Sequence, residues 1–177
     1  MLKKIVCAGF GGQGVLTAGK ILLYAAYKND LKGTWFPSYG NEMRGGAAHC
    51  NVIISDSRVA SPYADHPNLL MAMNDLSLAK FEPLMEKGGD LFVNTSLVKD
   101  YKYRGDIQVY KAGVSEVAGE LNSPNNANIV MLGKIAKEID LFTIDHLEKS
   151  MCEYFEYSGK GRFNNKNVEL LRAGYML

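Results

Sequence analysis

Four glycines within six residues, Gly9-Phe10-Gly11-Gly12-Gln13-Gly14, separate two stretches of different periodicity. Before them, Lys3 to Ala8 is a short apolar run. After them, Val15, Ala18, Leu22 and Ala25 recur at spacings of three and four residues. A strand, a tight turn and a helix therefore open the chain, and the rest of the sequence must supply neighbours for that strand.

The neighbours are visible as further apolar runs. Gly33 to Pro37 reads as extended, and His49 to Ser55 as a strand with Val52, Ile53 and Ile54 at its centre. Leu69 to Met73 and Leu91 to Val93, the second preceded by Gly88-Gly89-Asp90, suit strands buried on both faces of a parallel sheet. Asp75 is placed to cap the helix between them, and Pro83 to end it, since proline lacks a backbone donor and crowds the preceding turn. Ile107 to Tyr110 is a further strand. Ser123-Pro124 opens a helix whose face carries Ile129, Leu132, Ala136 and Ile139, with the serine hydroxyl as its cap. Helices over 142–157 and 167–175 close the chain. Strands alternating with helices at these lengths predict one Rossmann-like three-layer α/β domain over residues 1–177, with a mostly parallel sheet and helices on both faces.

Composition excludes several alternatives. Hydrophobic residues at 47% and charged residues at 22% leave no disordered or fibrous reading, and a net charge of +1 is too small for the field that nonspecific nucleic-acid binding relies on. The N-terminal apolar stretch meets glycine before it reaches the length of a signal peptide or membrane span, so a cytoplasmic protein is expected. Cys7, Cys50 and Cys152 lie 43 and 102 residues apart, with no zinc spacing. They read as core residues, and no iron-sulfur cluster or other metal is expected on this chain alone.

Gly9, Gly11 and Gly14 match GxGxxG in the context that gives the pattern meaning, after a strand and at the opening of a helix. In that pattern the first glycine permits the turn, the second lets a ligand approach, and the third lets helix and strand pack, while free N–H groups face an anion. Gln13 adds an amide that donates or accepts. A dinucleotide site also needs an acid about twenty residues on, at the end of the second strand. That region reads Gly33-Thr34-Trp35-Phe36-Pro37-Ser38 and holds none, and Asp30 comes too early. Gly14 to Lys20 spells GxxxxGK, but Ile21 stands where a P-loop needs a hydroxyl, and Lys20 lies deep in the helix. ATP and GTP are therefore discounted.

A second loop, Ser38-Tyr39-Gly40-Asn41-Glu42-Met43-Arg44-Gly45-Gly46, follows the second extended piece and is expected beside the first loop at the carboxyl edge of the sheet. Arg44 carries a planar five-donor fork suited to phosphate or carboxylate, and Gly45 and Gly46 let another backbone come close. Glu42 is placed to pair with Arg44 or a neighbouring chain. Two readings stay open: both loops take a ligand, or both are architecture and subunit contact. His49, His66 and His146 show no ligand spacing, no GxSxG elbow is present, and Lys99, Lys102, Arg104 and Lys111 read as a solvated face. No catalytic residue is assigned.

The two glycine loops together resemble the gamma subunits of 2-oxoacid:ferredoxin oxidoreductases. The likeness continues through Cys50-Asn51-Val52-Ile53-Ile54-Ser55, Ala72-Met73-Asn74 and Gly88-Gly89, and covers nearly the whole chain. The usual family form has proline where this chain has Asn41. The resemblance implies a chain that is inactive alone and works with alpha and beta subunits, a ferredoxin-like delta chain in some enzymes, and ferredoxin as electron acceptor. The complex would convert a 2-oxoacid to an acyl-CoA, with thiamine diphosphate between alpha and beta and the clusters on other chains. The loop wording is more like the 2-oxoglutarate and branched-chain enzymes than the pyruvate ones. A stand-alone NAD(P)-binding reductase and a noncatalytic scaffold are the alternatives.

Overall fold

The computed structural model describes residues 1–39 and 47–177, with the side chain of Tyr39 excepted. Its elements run β1 (Leu2–Phe10), α1 (Val15–Tyr27), β2 (Lys32–Tyr39), β3 (Ala47–Ser55), β4 (Leu69–Ala72), α2 (Asp75–Phe81), β5 (Asp90–Asn94), β6 (Gln108–Ala112), α3 (Val114–Glu120), α4 (Ala127–Glu138), α5 (Ile144–Tyr157) and α6 (Asn164–Met176). The six strands form one sheet in the order β2-β3-β1-β4-β5-β6. Pairings β1·β4, β4·β5 and β5·β6 are parallel, whereas β3 lies antiparallel to both β1 and β2. β2 consequently runs in the direction of β1, and β3 is the sheet's one reversed strand. The mostly parallel α/β sheet expected from the sequence is present.

Side-chain alternation divides the core in two, because successive residues of a strand point to opposite faces. Ile5 and Cys7 of β1, Leu69 and Met71 of β4 and Phe92 of β5 face α1 and the helices that follow β6. Val6, Ala8, Leu70, Ala72, Leu91 and Val93 face Leu78 and Phe81 of α2, with Val98 and Ile107 from the β5–β6 connection. Helices cover both faces unequally.

Local chemistry sets the element ends. Asn74, not Asp75, caps α2: its Oδ1 accepts from the Ser77 N–H at 2.8 Å, a bond worth about 1 kcal/mol. Asp75 is the first helical residue, where its charge still suits the positive end of the helix. α2 stops at Phe81 and passes into a 3₁₀ turn, Glu82–Leu84, that contains Pro83. Ser123 does not cap with its hydroxyl. Pro124–Asn126 forms a 3₁₀ turn first, and α4 begins only at Ala127. α4 is also not one-sided: Ala127 to Ile135 is an unbroken buried run, and its Gly133 lies against α6.

Cys7 and Cys50 are register partners on β1 and β3 and fully buried. The Cys50 thiol donates to the Val15 carbonyl at 3.5 Å, and the hydrogen bond with Cys50, together with burial, holds the Cys7 thiol well above its ordinary pKa. Both behave as core residues. Cys152, on α5, is partly exposed, contrary to its core reading.

Candidate functional site

β1 delivers the first loop to the carboxyl edge of the sheet. Gly12 and Gly14 adopt φ of 101° and 70°, the left-handed region, and Gly14 is the N-cap residue of α1. The turn is therefore made by the later glycines. Gly9 serves packing instead: a Cβ there would stand 2.7 Å from Gln13 Oε1 and 2.9 Å from Val15 Cγ1. Gly11, Gly12 and Gln13 line a cleft of about 260 Å³ together with Ser115, Pro124 and Asn125.

Gln13 holds the loop to itself. Its Oε1 accepts from the Phe10 N–H at 2.7 Å and from Asn74 Nδ2 at 3.0 Å, and its Nε2 reaches the Met73 carbonyl at 3.4 Å. Asn94 Nδ2 donates to that same carbonyl at 3.2 Å and to Ser115 Oγ at 2.9 Å, which ties the ends of β4 and β5 to α3. Asn128 Nδ2 donates to the Gly14 carbonyl at 3.0 Å, fastening α4 to the first residue of α1's cap. Asn94 and Asn128 carry no motif in one dimension; only the meeting of strand ends and helix starts shows what they do. Gln13→Ala removes the shared acceptor and leaves two partly buried donors short, at an expected cost of about 1–3 kcal/mol in urea denaturation. Gln13→Glu keeps an acceptor in place and should lose less. Equal stability of wild type and Gln13→Ala would show the loop is held by other contacts.

Phe10 pairs with Ala47, and Tyr39 with Ala48, so the second loop leaves and re-enters the sheet at the edge occupied by the first. Ser38 lies in β2 opposite His49. Gly40, Glu42, Arg44, Gly45 and Gly46, the rest of that candidate set, lie outside the described residues with Asn41 and Met43.

The nucleotide decoys dissolve in the geometry. Gly19 admits Cys50 and Val52 of β3 against α1, and the Lys20 ammonium lies 4.6 Å from the centre of the Trp35 ring. Asp30 lies in the turn before β2, at the opposite edge of the sheet. The histidines are separate: the His49 ring packs 4.7 Å from Phe81, with its pKa lowered by burial and by Lys80, while His66 and His146 each bond one backbone carbonyl. Among the described residues, no group of three or more His, Cys, Asp or Glu could hold a metal ion, and no helix is long and apolar enough to cross a membrane.

An α/β sheet with a helix-opening glycine loop at its carboxyl edge defines a Rossmann-like protein. Residues 4–177 match the pyruvate ferredoxin/flavodoxin oxidoreductase family, and the chain belongs to it. It is 34% identical over 171 residues to the ketoisovalerate oxidoreductase subunit VorA of Methanothermobacter marburgensis, covering 97% of this chain but 35% of that relative. It is 35% identical over 178 residues to the 2-oxoglutarate synthase subunit KorC of Methanocaldococcus jannaschii, covering 99% of this chain and 93% of the relative. Among solved structures, the gamma subunit of a keto/oxoacid ferredoxin oxidoreductase from Geobacter sulfurreducens PCA superposes with a TM-score of 0.82 at 26% identity, over 98% of this chain and 96% of that one.

Proposed function

We propose that this chain, as one domain over residues 1–177, is the gamma subunit of a 2-oxoacid:ferredoxin oxidoreductase. The observation that carries this is the near end-to-end match with a KorC chain, supported by the superposition on a gamma subunit. The enzyme would decarboxylate a 2-oxoacid oxidatively, transfer the acyl group to coenzyme A and reduce ferredoxin. Thiamine diphosphate and iron-sulfur clusters would belong to alpha, beta and delta chains, and this chain would be inactive without them. Two of the curated relatives are named for ketoisovalerate and 2-oxoglutarate, which supports 2-oxoglutarate or a branched-chain oxoacid as substrate.

Affinity isolation of the chain from its host tests this, with the eluate assayed for coenzyme A-dependent reduction of a viologen across several 2-oxoacids. Co-purifying thiamine-enzyme chains and turnover of one oxoacid are expected. An inactive chain that comes alone and binds NAD(P)H would overturn the proposal.

Within the complex, the two glycine loops would shape the coenzyme A route, with Arg44 reaching phosphate. Arg44→Ala is then expected to raise the KM for coenzyme A several-fold with assembly intact. Loss of assembly, with an unchanged coenzyme A response in the surviving complex, would assign the loop to subunit contact instead.

A further inference from the structure

A second cleft, of about 720 Å³, lies away from the glycine loop, where the C-terminal half of α1 meets the start of β2. α1 is apolar on two sides. Val15, Ala18, Leu22 and Ala25 are buried in the core, whereas Leu23, Tyr24 and Tyr27, three and four residues apart, line the cleft with Leu31 and Trp35. Leu23, Leu31 and Trp35 are only partly buried, and Tyr27 projects at the rim, 73% exposed. β2 is the edge strand of the sheet, paired with β3 on one side and with no strand on the other among the described residues. An open edge beside an apolar cleft is a surface that native chains cover. Asp30 and Lys32, two residues apart and both exposed, line the same cleft, and neither forms an ion pair among the described residues.

We propose that this face joins two copies of the chain about a two-fold axis. A two-fold contact brings one patch against itself, so the patch must carry its own complement in shape and in charge. Here both are present. Tyr27 projects beside a cleft walled by Leu23, Tyr24, Leu31 and Trp35, so the Tyr27 of each protomer enters the cleft of its partner. With Leu31 near the axis, Asp30 of one protomer meets Lys32 of the other, and symmetry repeats the pair. Both charges lack a partner within the chain, and the contact supplies one to each. A chain of different sequence docking here would need only one sign and no projecting aromatic next to its own cleft. The turn before β2 and the first glycine loop lie at opposite edges of the sheet, so the dimer leaves that loop open. The inference needs only this chain and stands apart from the oxoacid reading.

Sedimentation of the full chain over roughly 1–100 μM, the weak end of specific interfaces, tests it without any activity assay. A monomer–dimer equilibrium is expected. Trp35 is the chain's one tryptophan and lines the cleft, so its emission should move to shorter wavelength as the dimer forms. Asp30→Lys and Lys32→Asp each set like charges against one another across the axis and should weaken dimerisation on the order of tenfold or more. Asp30→Lys combined with Lys32→Asp restores opposite charges and should recover the dimer. An equimolar mixture of the two single variants should form mixed dimers in preference to either variant alone. Damage to the fold would be rescued in neither way. Tyr27→Ala, at an exposed position, should weaken the dimer on the order of tenfold. A monomer throughout the range, a dimer indifferent to both charge reversals, or a dimer that leaves Trp35 emission unchanged overturns the proposal. A monomeric chain in which hydrogen exchange from Leu31 to Trp35 slows only within an isolated multi-chain complex assigns the face to a different chain and overturns it equally.

Discussion

Gly174→Ala is expected to destabilise the protein by about 3 kcal/mol or more, because the added methyl has nowhere to go. A Cβ at Gly174 would overlap the Val130 carbonyl oxygen and stand 2.6 Å from the Val130 carbonyl carbon, and one at Gly133 would overlap the Leu171 carbonyl oxygen and stand 2.7 Å from the Tyr175 nitrogen. These neighbours are backbone, so no rotamer change relieves the clash; α6 must move away from α4. That movement would uncover a helix buried from Ala127 to Ile135, together with Leu170 and Leu171. The two glycines face one another across a single crossing, so Gly133→Ala combined with Gly174→Ala should cost less than the sum of the single changes. Gly119 in α3 has nothing within 4 Å of an added Cβ. Gly119→Ala should therefore stabilise by about 0.5–1 kcal/mol, as alanine does for glycine inside a helix. Denaturant midpoints of the four variants check the set, and a loss at Gly174 no larger than about 0.5 kcal/mol would mean the helices are not held at this distance.

The same crossing shows what periodicity does not carry. β1, α1, β4 and β5 were legible because apolar runs and a three-to-four spacing are imposed by local geometry, and the carboxyl-edge position of the first loop followed from them. The reversed direction of β3 was not legible: its run, Val52-Ile53-Ile54, suits either orientation, and only pairing with β1 and β2 decides. α3 leaves no periodic signal because Val114 to Glu120 is short and contains a glycine. At the loop, the glycine positions were legible but their roles were not, since φ at Gly12 and packing at Gly9 depend on Gln13 folding back. The sequence places Arg104 on a solvated face. It instead donates to the Glu82 and Met85 carbonyls, both at 2.9 Å, and its guanidinium clasps Asp106.

Glu82, next to that arginine, carries the other large effect. It is 4% exposed in the 3₁₀ turn after α2, and its carboxylate accepts from the Tyr101 hydroxyl at 2.8 Å and from the Arg104 backbone N–H at 2.8 Å. These bonds strap the β5–β6 connection over the core face that holds Val98 and Ile107. Glu82→Ala leaves both donors without their charged acceptor, and a loss of about 3 kcal/mol is expected. Glu82→Gln keeps an acceptor for one donor and should lose less. Tyr101 supplies a readout that cavity formation alone would not produce. Burial, then the bond to Glu82, push its pKa from 10.0 to about 12. The folded chain thus holds this proton more tightly than the unfolded chain, so the contribution is complete below pH 10 and is lost as pH rises toward about 12. Tyr101→Phe removes that proton, and the fall in stability across this window should become shallower relative to wild type. An unchanged pH profile in Tyr101→Phe, measured by denaturation at fixed ionic strength, would mean the hydroxyl is free of Glu82 and that the strap is held by Arg104 alone.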